Sequence, residues 1–441
     1  MITARWYQRI TDPQVSRLAT HLRATQFWPP ERIRQYQFEK LKRLLEHAYL
    51  HVPYYRRLFQ QCGATPGDVA SLEDYARLPV LTKAIIRENL DAMVADNLPK
   101  DRLLPSSTGG STGEPLHYFH DAQYVAWAEA ARVRGWYEIA GCRYGDRCGV
   151  LWGALKDVKS DFSLRERIRD FCLEGEIKMN AFNLSDRRKM AFLRWCRLLR
   201  PKLLRGYFTA IKDLAAFLDE KGLRFPALKG IILCAETVDE PSRAHVDRVF
   251  QARSYNLYGG RELSIVAMEC AARRGLHEVS ENNYVEFEPI ELPDCPGAGN
   301  LILTNLNNYA MPFIRYRIGD IGVPGDGGVC ECGRGLPRIA RIIGRTTEVF
   351  SFYDGTKIAG EMFIHVMKDF PLKEYQFVQL SDRKVLLRMN RREAEDHDLR
   401  GRLRSTYARY LPAGVALDIE EVDRFERTPT GKFKFVFRQN P

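Results

Sequence analysis

Two short apolar runs, Cys148-Gly149-Val150-Leu151-Trp152 and Ile231-Ile232-Leu233-Cys234, are separated by stretches of helical periodicity at 187–200 and 209–221. Strands alternating with helices predict α/β layers built around a parallel sheet. Upstream, Ile33, Phe38, Leu41, Leu44 and Leu45 recur at three- and four-residue steps, which predicts helix across 31–61, interrupted at Pro53. Residues 121–140, with Tyr124, Trp127, Ala128, Ala131 and Trp136, read as a further helix. From 284 the texture changes. Tyr284-Val285-Glu286-Phe287-Glu288 and Asn300-Leu301-Ile302-Leu303-Thr304 alternate or run apolar between Pro/Gly turns, which predicts antiparallel or mixed sheet. The last hundred residues form an α+β pattern of their own, with strands at 349–353, 375–380, 384–389 and 416–422 around helices near 360–369 and 393–410. The expected fold class is α/β, with a large N-terminal α/β domain of mixed sheets (1–346) and a smaller α+β C-terminal domain (347–441). The boundary falls at Arg345-Thr346-Thr347.

A chain of 441 residues is long for one core and suits two or three structural units. No run approaches 18 consecutive apolar residues, so no transmembrane span is expected. The first residues lack the apolar core of a signal peptide, and ten cysteines without paired secretory spacing fit a reducing compartment, so cytoplasm is the expected location. A net charge of +11 reads either as a solvated surface or as attraction to anions such as ATP, coenzyme A, an acidic carrier protein or nucleic acid. Arg187, Arg188, Lys189, Arg194, Arg197, Arg200 and Lys202 make the 187–200 helix basic, while Met190, Phe192, Leu193, Trp195, Leu198 and Leu199 suit packing on a core. No zinc-finger, RNA-recognition or helix-turn-helix signature accompanies it.

The stretch Ser106-Ser107-Thr108-Gly109-Gly110-Ser111-Thr112-Gly113-Glu114-Pro115 holds three glycines and five hydroxyl side chains. Such a loop can wrap backbone N–H groups and hydroxyls around phosphate oxygens, since glycine permits close approach and positive φ. It lacks the spacing of a Walker loop, and no lysine follows it directly. By itself it fits a flexible loop as well as a nucleotide site.

Four later segments accompany it in order: Tyr255-Asn256-Leu257-Tyr258-Gly259-Gly260-Arg261-Glu262, Tyr316-Arg317-Ile318-Gly319-Asp320, Ile343-Gly344-Arg345-Thr346-Thr347-Glu348 and Arg427-Thr428-Pro429-Thr430-Gly431-Lys432. Together the five resemble the motif series of the adenylate-forming superfamily of acyl-CoA synthetases, luciferases and peptide-synthetase adenylation domains. Val52-Pro53-Tyr54-Tyr55, Gly260-Arg261-Glu262, Asn308 to Tyr316 and Cys330-Glu331-Cys332-Gly333-Arg334 resemble its phenylacetate–CoA ligase-like branch, which includes capsule-biosynthesis adenylating proteins. The resemblance runs from about residue 35 to the C-terminus. Gly109 stands where many relatives have serine, Arg261 where threonine is common in the wider superfamily, and Glu348 where aspartate is common. None of these removes a charge the chemistry needs.

The resemblance implies a mobile C-terminal domain and activation of a carboxylic acid by Mg·ATP, with transfer of the acyl group to a thiol, coenzyme A being the default. It also assigns residues. Ser107, Thr108, Ser111 and Thr112, with the amides of Gly109, Gly110 and Gly113, would grip the triphosphate, and Glu262 would hold Mg²⁺ through carboxylate oxygen. Tyr258, beside Gly259, offers a face for adenine, and Asp320 accepts hydrogen bonds from the ribose hydroxyls. Glu236 ends an apolar strand, where open α/β sheets bind ligands. Arg345 would reach ribose or phosphate from the hinge, and Lys432 would bridge the attacking carboxylate and the α-phosphate. Tyr207 and Phe208, with Trp127, Trp136 and Trp152, are candidate walls of the acid pocket, or core.

Cys270, His277, Cys330 and Cys332 complete a Cys₃His set within 270–332, an ordinary complement for tetrahedral Zn²⁺. Unconnected thiols or a redox pair are the other readings, since C-x-C is tighter than the usual zinc spacing. Similar Cys/His placement in the resembled branch favours a structural zinc. An amine or carrier-protein thiol would serve the same first half-reaction as coenzyme A. A silent nucleotide sensor and a basic nucleic-acid-binding protein are the alternatives from other classes.

Overall fold

The computed structural model describes residues 12–108, 116–152, 169–172, 174–181, 184–292, 295–345, 349–359, 363, 366–367, 370, 372–391, 398–426 and 434–439. The chain divides into two compact units. One comprises Met1–Glu286, Ile302–Ile318 and Gly325–Ala340, and the other Phe287–Leu301, Gly319–Pro324 and Arg341–Pro441.

The first unit opens with helices Pro13–Thr25, Pro30–His51 and Pro53–Gln61. Asp12 caps the first by accepting from the Gln14 N–H, and proline fills the first helical position where its missing donor costs nothing. Pro53 breaks the helical path as expected. Val52 before it is extended, at φ −115° and ψ 107°, because a following proline disfavours the helical region. An antiparallel hairpin follows, β1 (Leu104–Ser107) with β2 (His117–His120), and then the helix Ala122–Arg132. The expected helix at 121–140 continues past Arg132 as a widened π turn at Val133–Tyr137 and a 3₁₀ turn at Glu138–Ala140.

The centre of this unit is the parallel sheet β4-β3-β5-β6-β7, made of Cys148–Trp152 (β3), Glu176–Asn180 (β4), Leu203–Tyr207 (β5), Gly230–Cys234 (β6) and Ser254–Gly260 (β7). Helices Asp186–Leu199, Phe208–Glu220 and Glu240–Phe250 connect its strands. Leu151, Leu204, Ile231 and Leu233 face Phe192, Ile211, Leu214 and Val246 in one core. Gly206 is required where β5 meets β3, since a Cβ there would lie 2.4 Å from the Leu151 carbonyl oxygen. The strand β8 (Ser264–Glu269) returns antiparallel to β7, and β9 (Leu276–Glu278) antiparallel to β8. A buried ion pair secures the N-terminal helices. Arg134 donates two hydrogen bonds of 2.9 Å to Glu281, which also accepts from the Thr25 hydroxyl.

Strands β10 (Asn283–Pro289), β11 (Gly299–Asn305), β12 (Tyr316–Pro324) and β13 (Arg338–Arg345) contribute residues to both units, which bears out the mixed-sheet texture expected after residue 284. In the second unit, Leu292, Cys295, Ala298, Ile321, Ile343 and Val349 form a small core. Hairpin β14 (Val349–Ser351) and β15 (Lys357–Ala359) precedes a four-stranded sheet, β18-β17-β16-β19. Its strands are Leu372–Ser381 (β16), Lys384–Arg391 (β17), Ala416–Glu421 (β18) and Val436–Arg438 (β19). Phe350, Phe363, Phe377 and Leu387 pack there with Leu403 and Tyr407 of the helix Leu399–Tyr407. The α/β class with a smaller α+β portion is therefore as expected. The contact division adds 287–301 and 319–324 to the C-terminal residues, while the expected junction at 346–347 borders or lies outside the described residues.

Candidate active site

Residues 109–115 of the glycine–hydroxyl loop lie outside the described residues, as do Thr346 to Glu348 and the Arg427 to Lys432 segment. The neck of the loop is described. β1 and β2 pair with Ser107 opposite His117, and the Thr108 N–H donates to the Leu116 carbonyl at 3.0 Å. The Leu116 N–H returns a 2.9 Å hydrogen bond to the Thr108 hydroxyl oxygen. Thr108 thus closes the loop with its oxygen and keeps its hydroxyl hydrogen for donation.

Glu262 sits in the turn between β7 and β8, at 9% exposure. Its backbone carbonyl accepts from His120 Nε2 and from the Tyr124 hydroxyl, both at 3.3 Å. These two rings stack on each other at 3.6 Å. Burial pulls the His120 imidazole down to about 4, so near neutral pH it is uncharged and donates as a neutral ring. Arg261 Nη1 reaches the Ser107 carbonyl at 3.4 Å. The loop neck and the glutamate turn, 154 residues apart in sequence, are therefore held side by side.

Glycine is obligatory at 259, where a Cβ would lie 2.3 Å from the Ser264 carbonyl oxygen. At 260 a Cβ would come within 3.0 Å of Glu262 Oε2. Tyr258, half-buried before a register shift in the β7–β8 ladder, precedes both. Gly259→Ala is expected to force the hairpin apart and lower stability by about 1–3 kcal/mol. Denaturant unfolding checks this, and an unchanged midpoint would contradict it.

At the carboxyl edge of the parallel sheet, Ala235 takes a left-handed φ of 66° directly after β6 and so turns Glu236 out of the strand direction. The Glu236 carboxylate accepts 2.7 Å from the Thr209 N–H and 2.9 and 3.0 Å from the Thr209 hydroxyl. Thr209 lies in the first turn of its helix, where free N–H groups and the dipole favour an anion. Tyr207, at the end of β5, packs on Trp152 at the end of β3 with ring centroids 4.6 Å apart. Phe208 is 1% exposed and belongs to the sheet–helix core. Trp136 carries the Arg205 guanidinium 3.9 Å over its ring, and Trp127 carries Lys40 at 3.9 Å.

Asp320 and Arg345 meet in the second unit, with Arg345 Nε 3.3 Å from Asp320 Oδ1. Gly319, at φ 93°, makes the bend that presents Asp320. The segment from Asn308 to Arg315 is pinned in the first unit. Asp121 accepts from the Tyr309 and Ala310 N–H groups, at 2.7 and 3.0 Å, and Asn308 donates to the Phe119 carbonyl at 2.9 Å.

Cys270, His277, Cys330 and Cys332 converge, with one ligand atom of each within 4.8 Å of all the others. Cys270 and Cys330 sulfurs are 3.8 Å apart, and Cys332 Sγ lies 3.4 Å from His277 Nε2. Zn–S bonds of about 2.3 Å and Zn–N bonds of about 2.0 Å at tetrahedral angles place sulfurs about 3.8 Å apart and sulfur and nitrogen about 3.5 Å apart. The set fits such an ion. It assembles because His277 on β9 pairs with Arg338 of β13, while Cys330 and Cys332 occupy the turn closed by the Gly333 N–H to Cys330 carbonyl bond of 2.8 Å. Burial lowers the His277 imidazole to about 4, helped by the nearby Arg334, which leaves the neutral form that ligates metals.

The supporting residues His120, Tyr124 and Thr209 were not singled out as functional. A signal existed for the last, a threonine immediately beyond an apolar strand and opening a helix.

Comparison with known proteins agrees with these motifs. No family model matches the chain. The phenylacetate–coenzyme A ligase of Pseudomonas putida is 27% identical over 332 residues, covering 72% of this chain and 71% of that protein. Its counterpart from Thermus thermophilus is 27% identical over 338 residues, covering 73% and 72%. In sequence the chain is similar to phenylacetate–CoA ligases. Protein CapK of Staphylococcus aureus is 22% identical over 391 residues, covering 84% of this chain and 81% of CapK. In fold, the crystal structure of a 2-hydroxyisobutyryl-CoA ligase in its postadenylation state aligns with a TM-score of 0.72 at 21% identity, covering 94% of this chain and 91% of that one.

Proposed function

We propose that this chain joins a carboxylic acid to the thiol of coenzyme A in two steps at the expense of ATP. In the first, a carboxylate oxygen attacks the α-phosphorus and pyrophosphate leaves, giving an acyl-adenylate. In the second, the thiolate sulfur attacks the acyl carbon, the thiol proton passes to solvent and AMP leaves. ATP-dependent acyl-adenylate and thioester formation is the chemistry of the resembled family. Coenzyme A as the acceptor here rests on the names of the Pseudomonas and Thermus relatives.

The observation that carries this reading is the meeting of the closed neck at Thr108 and Leu116 with the Arg261-Glu262 turn. Ser107, Thr108 and the loop residues Gly109 to Gly113 hold the β- and γ-phosphates in this proposal, with Arg261 adding positive charge beside the neck. Glu262 supplies the carboxylate for Mg²⁺, and a bound Mg²⁺ neutralises phosphate charge. His120 and Tyr124 act as positioning residues by holding the Glu262 backbone. Tyr258 faces adenine beside Gly259, Asp320 takes the ribose hydroxyls, and Arg345 steadies that carboxylate. Glu236, locked by Thr209, marks the sheet edge where the acid and adenylate lie. Tyr207 with Trp152 lines the acid pocket, with Phe208 packed behind as support. Lys432, in the segment resembling the lysine loop, bridges carboxylate and α-phosphate in adenylation. The division at 346–347 serves as the hinge that exchanges it for coenzyme A.

Incubation with ATP, Mg²⁺, coenzyme A and a panel of carboxylic acids tests the reading. Acid-dependent appearance of AMP and an acyl thioester is expected. ADP as the nucleotide product, or AMP formed with no thioester for any acid, would overturn it.

Cys270, His277, Cys330 and Cys332 are proposed to hold one structural Zn²⁺ per chain that ties the end of β8 to the turn before β13. Elemental analysis after a chelator wash should find about one zinc per chain, because a closed four-ligand site retains its metal. Cys330→Ser should lower the thermal midpoint while leaving the turnover of folded protein near wild type. Metal-free wild-type protein with an unchanged midpoint would contradict the assignment.

A further inference from the structure

The helix Asp186–Leu199 buries Lys189, Phe192, Leu193 and Cys196 against the parallel sheet. At 100° per residue, Arg187, Arg194 and Leu198 then fall on one line directly opposite the buried stripe, with Trp195 and Arg197 on its flanks. Leu198 is 71% exposed and Trp195 44%, neighbours at i and i+3. Arg200, exposed in a left-handed C-cap conformation at φ 46°, follows the last turn. Arg187, Arg194, Arg197 and Arg200 form no ion pair with any described residue, and Arg197 reaches only the Arg224 carbonyl. A ridge of one indole and one leucine thus stands beside Arg187 and Arg194, neither of which is ion-paired with a described carboxylate.

We propose that this helix face docks the protein onto an anionic lipid surface. Charge complementarity selects the partner class, since each uncompensated arginine near an acidic leaflet adds attraction that phosphatidylcholine alone does not provide. The apolar ridge selects lipid over nucleic acid. An aliphatic side chain gains nothing from a phosphate backbone, whereas leucine and tryptophan on the outer face of a basic helix enter the boundary between headgroups and acyl chains. No helix among the described residues is long and apolar enough to cross a membrane.

Sedimentation of the full chain with vesicles of phosphatidylcholine and phosphatidylserine in equal parts, against vesicles of phosphatidylcholine alone, tests this at physiological salt. Binding to the acidic vesicles only is expected. The pair Arg187→Gln and Arg194→Gln should weaken the partition by about 30-fold, and Leu198→Ser should weaken it at unchanged charge. Tryptophan emission should shift to the blue on binding in wild type, and the shift should shrink in Trp195→Phe. Acid-dependent AMP release, unchanged in all variants, certifies their folding. Absence of binding to the acidic vesicles would overturn the proposal, as would equal binding to both vesicle types. Vesicle binding insensitive to Leu198→Ser, together with equally tight binding of a random DNA duplex, would instead show a general polyanion patch and overturn it too.

Discussion

Lys432→Ala is expected to lower the rate of acyl-adenylate formation by about 100-fold or more while ATP binding is retained. The side chain proposed to neutralise charge on the α-phosphate acts chiefly as carboxylate oxygen approaches, so its loss falls on the transition state rather than on the bound nucleotide. The Glu262 turn and the loop neck lie in the first structural unit, far from Lys432 in sequence, and stay intact in the variant. Transfer of a pre-formed acyl-adenylate to coenzyme A should suffer much less. Pre-steady-state measurement of pyrophosphate release, beside equilibrium binding of an ATP analogue, separates the effects. Pyrophosphate release near the wild-type rate would remove Lys432 from the mechanism.

Thr347→Pro is expected to separate the half-reactions. In the proposed hinge, two reactions sharing one site need residues 346–347 to absorb a large backbone rotation, and proline confines φ to about −65°. Freezing the adenylation arrangement should leave pyrophosphate release within a few-fold of wild type and slow thioester formation by about 100-fold, the penalty expected for misplaced reactants. Single-turnover assays with ATP and acid, and then with isolated acyl-adenylate and coenzyme A, give the two rates. Equal loss in both would indicate a folding defect, and full activity in both would place the pivot elsewhere.

Local sequence revealed those parts of the fold whose burial is self-evident. β3 and β6 read as strands because both faces of a parallel sheet are covered, leaving unbroken apolar runs. β5, Leu203-Leu204-Arg205-Gly206-Tyr207, was hidden between them. Arg205 is buried there only because Glu176 pairs with it and Trp136 stacks on it, and Gly206 only because the Leu151 carbonyl leaves no room for a Cβ. Both reasons are tertiary. β9, three residues long, is too short for any period to register. Among the candidate site residues, Glu262 and Asp320 stand out through motif wording, yet the groups that hold them arrive from distant segments. His120 and Tyr124 reach the Glu262 backbone across more than a hundred residues, and Arg345 reaches Asp320 only through the strands that carry them. The Cys₃His set shows the same limit. C-x-C alone is weak, and only the antiparallel register of β9 with β13 brings His277 to it. Phe208 shows the converse, an aromatic read equally as pocket or core that packs into the core.

Exchange of radiolabelled pyrophosphate into ATP tests the central claim most directly, because it requires reversible formation of an acyl-adenylate and nothing beyond it. The wild-type chain with Mg·ATP should catalyse exchange that depends on the presence of a carboxylic acid, that fails with Glu262→Gln at limiting Mg²⁺, and that needs no coenzyme A. Exchange without any acid, or ATP binding with no exchange across a broad panel of aliphatic, hydroxylated and aromatic acids, would contradict the assignment of this site to carboxylate adenylation.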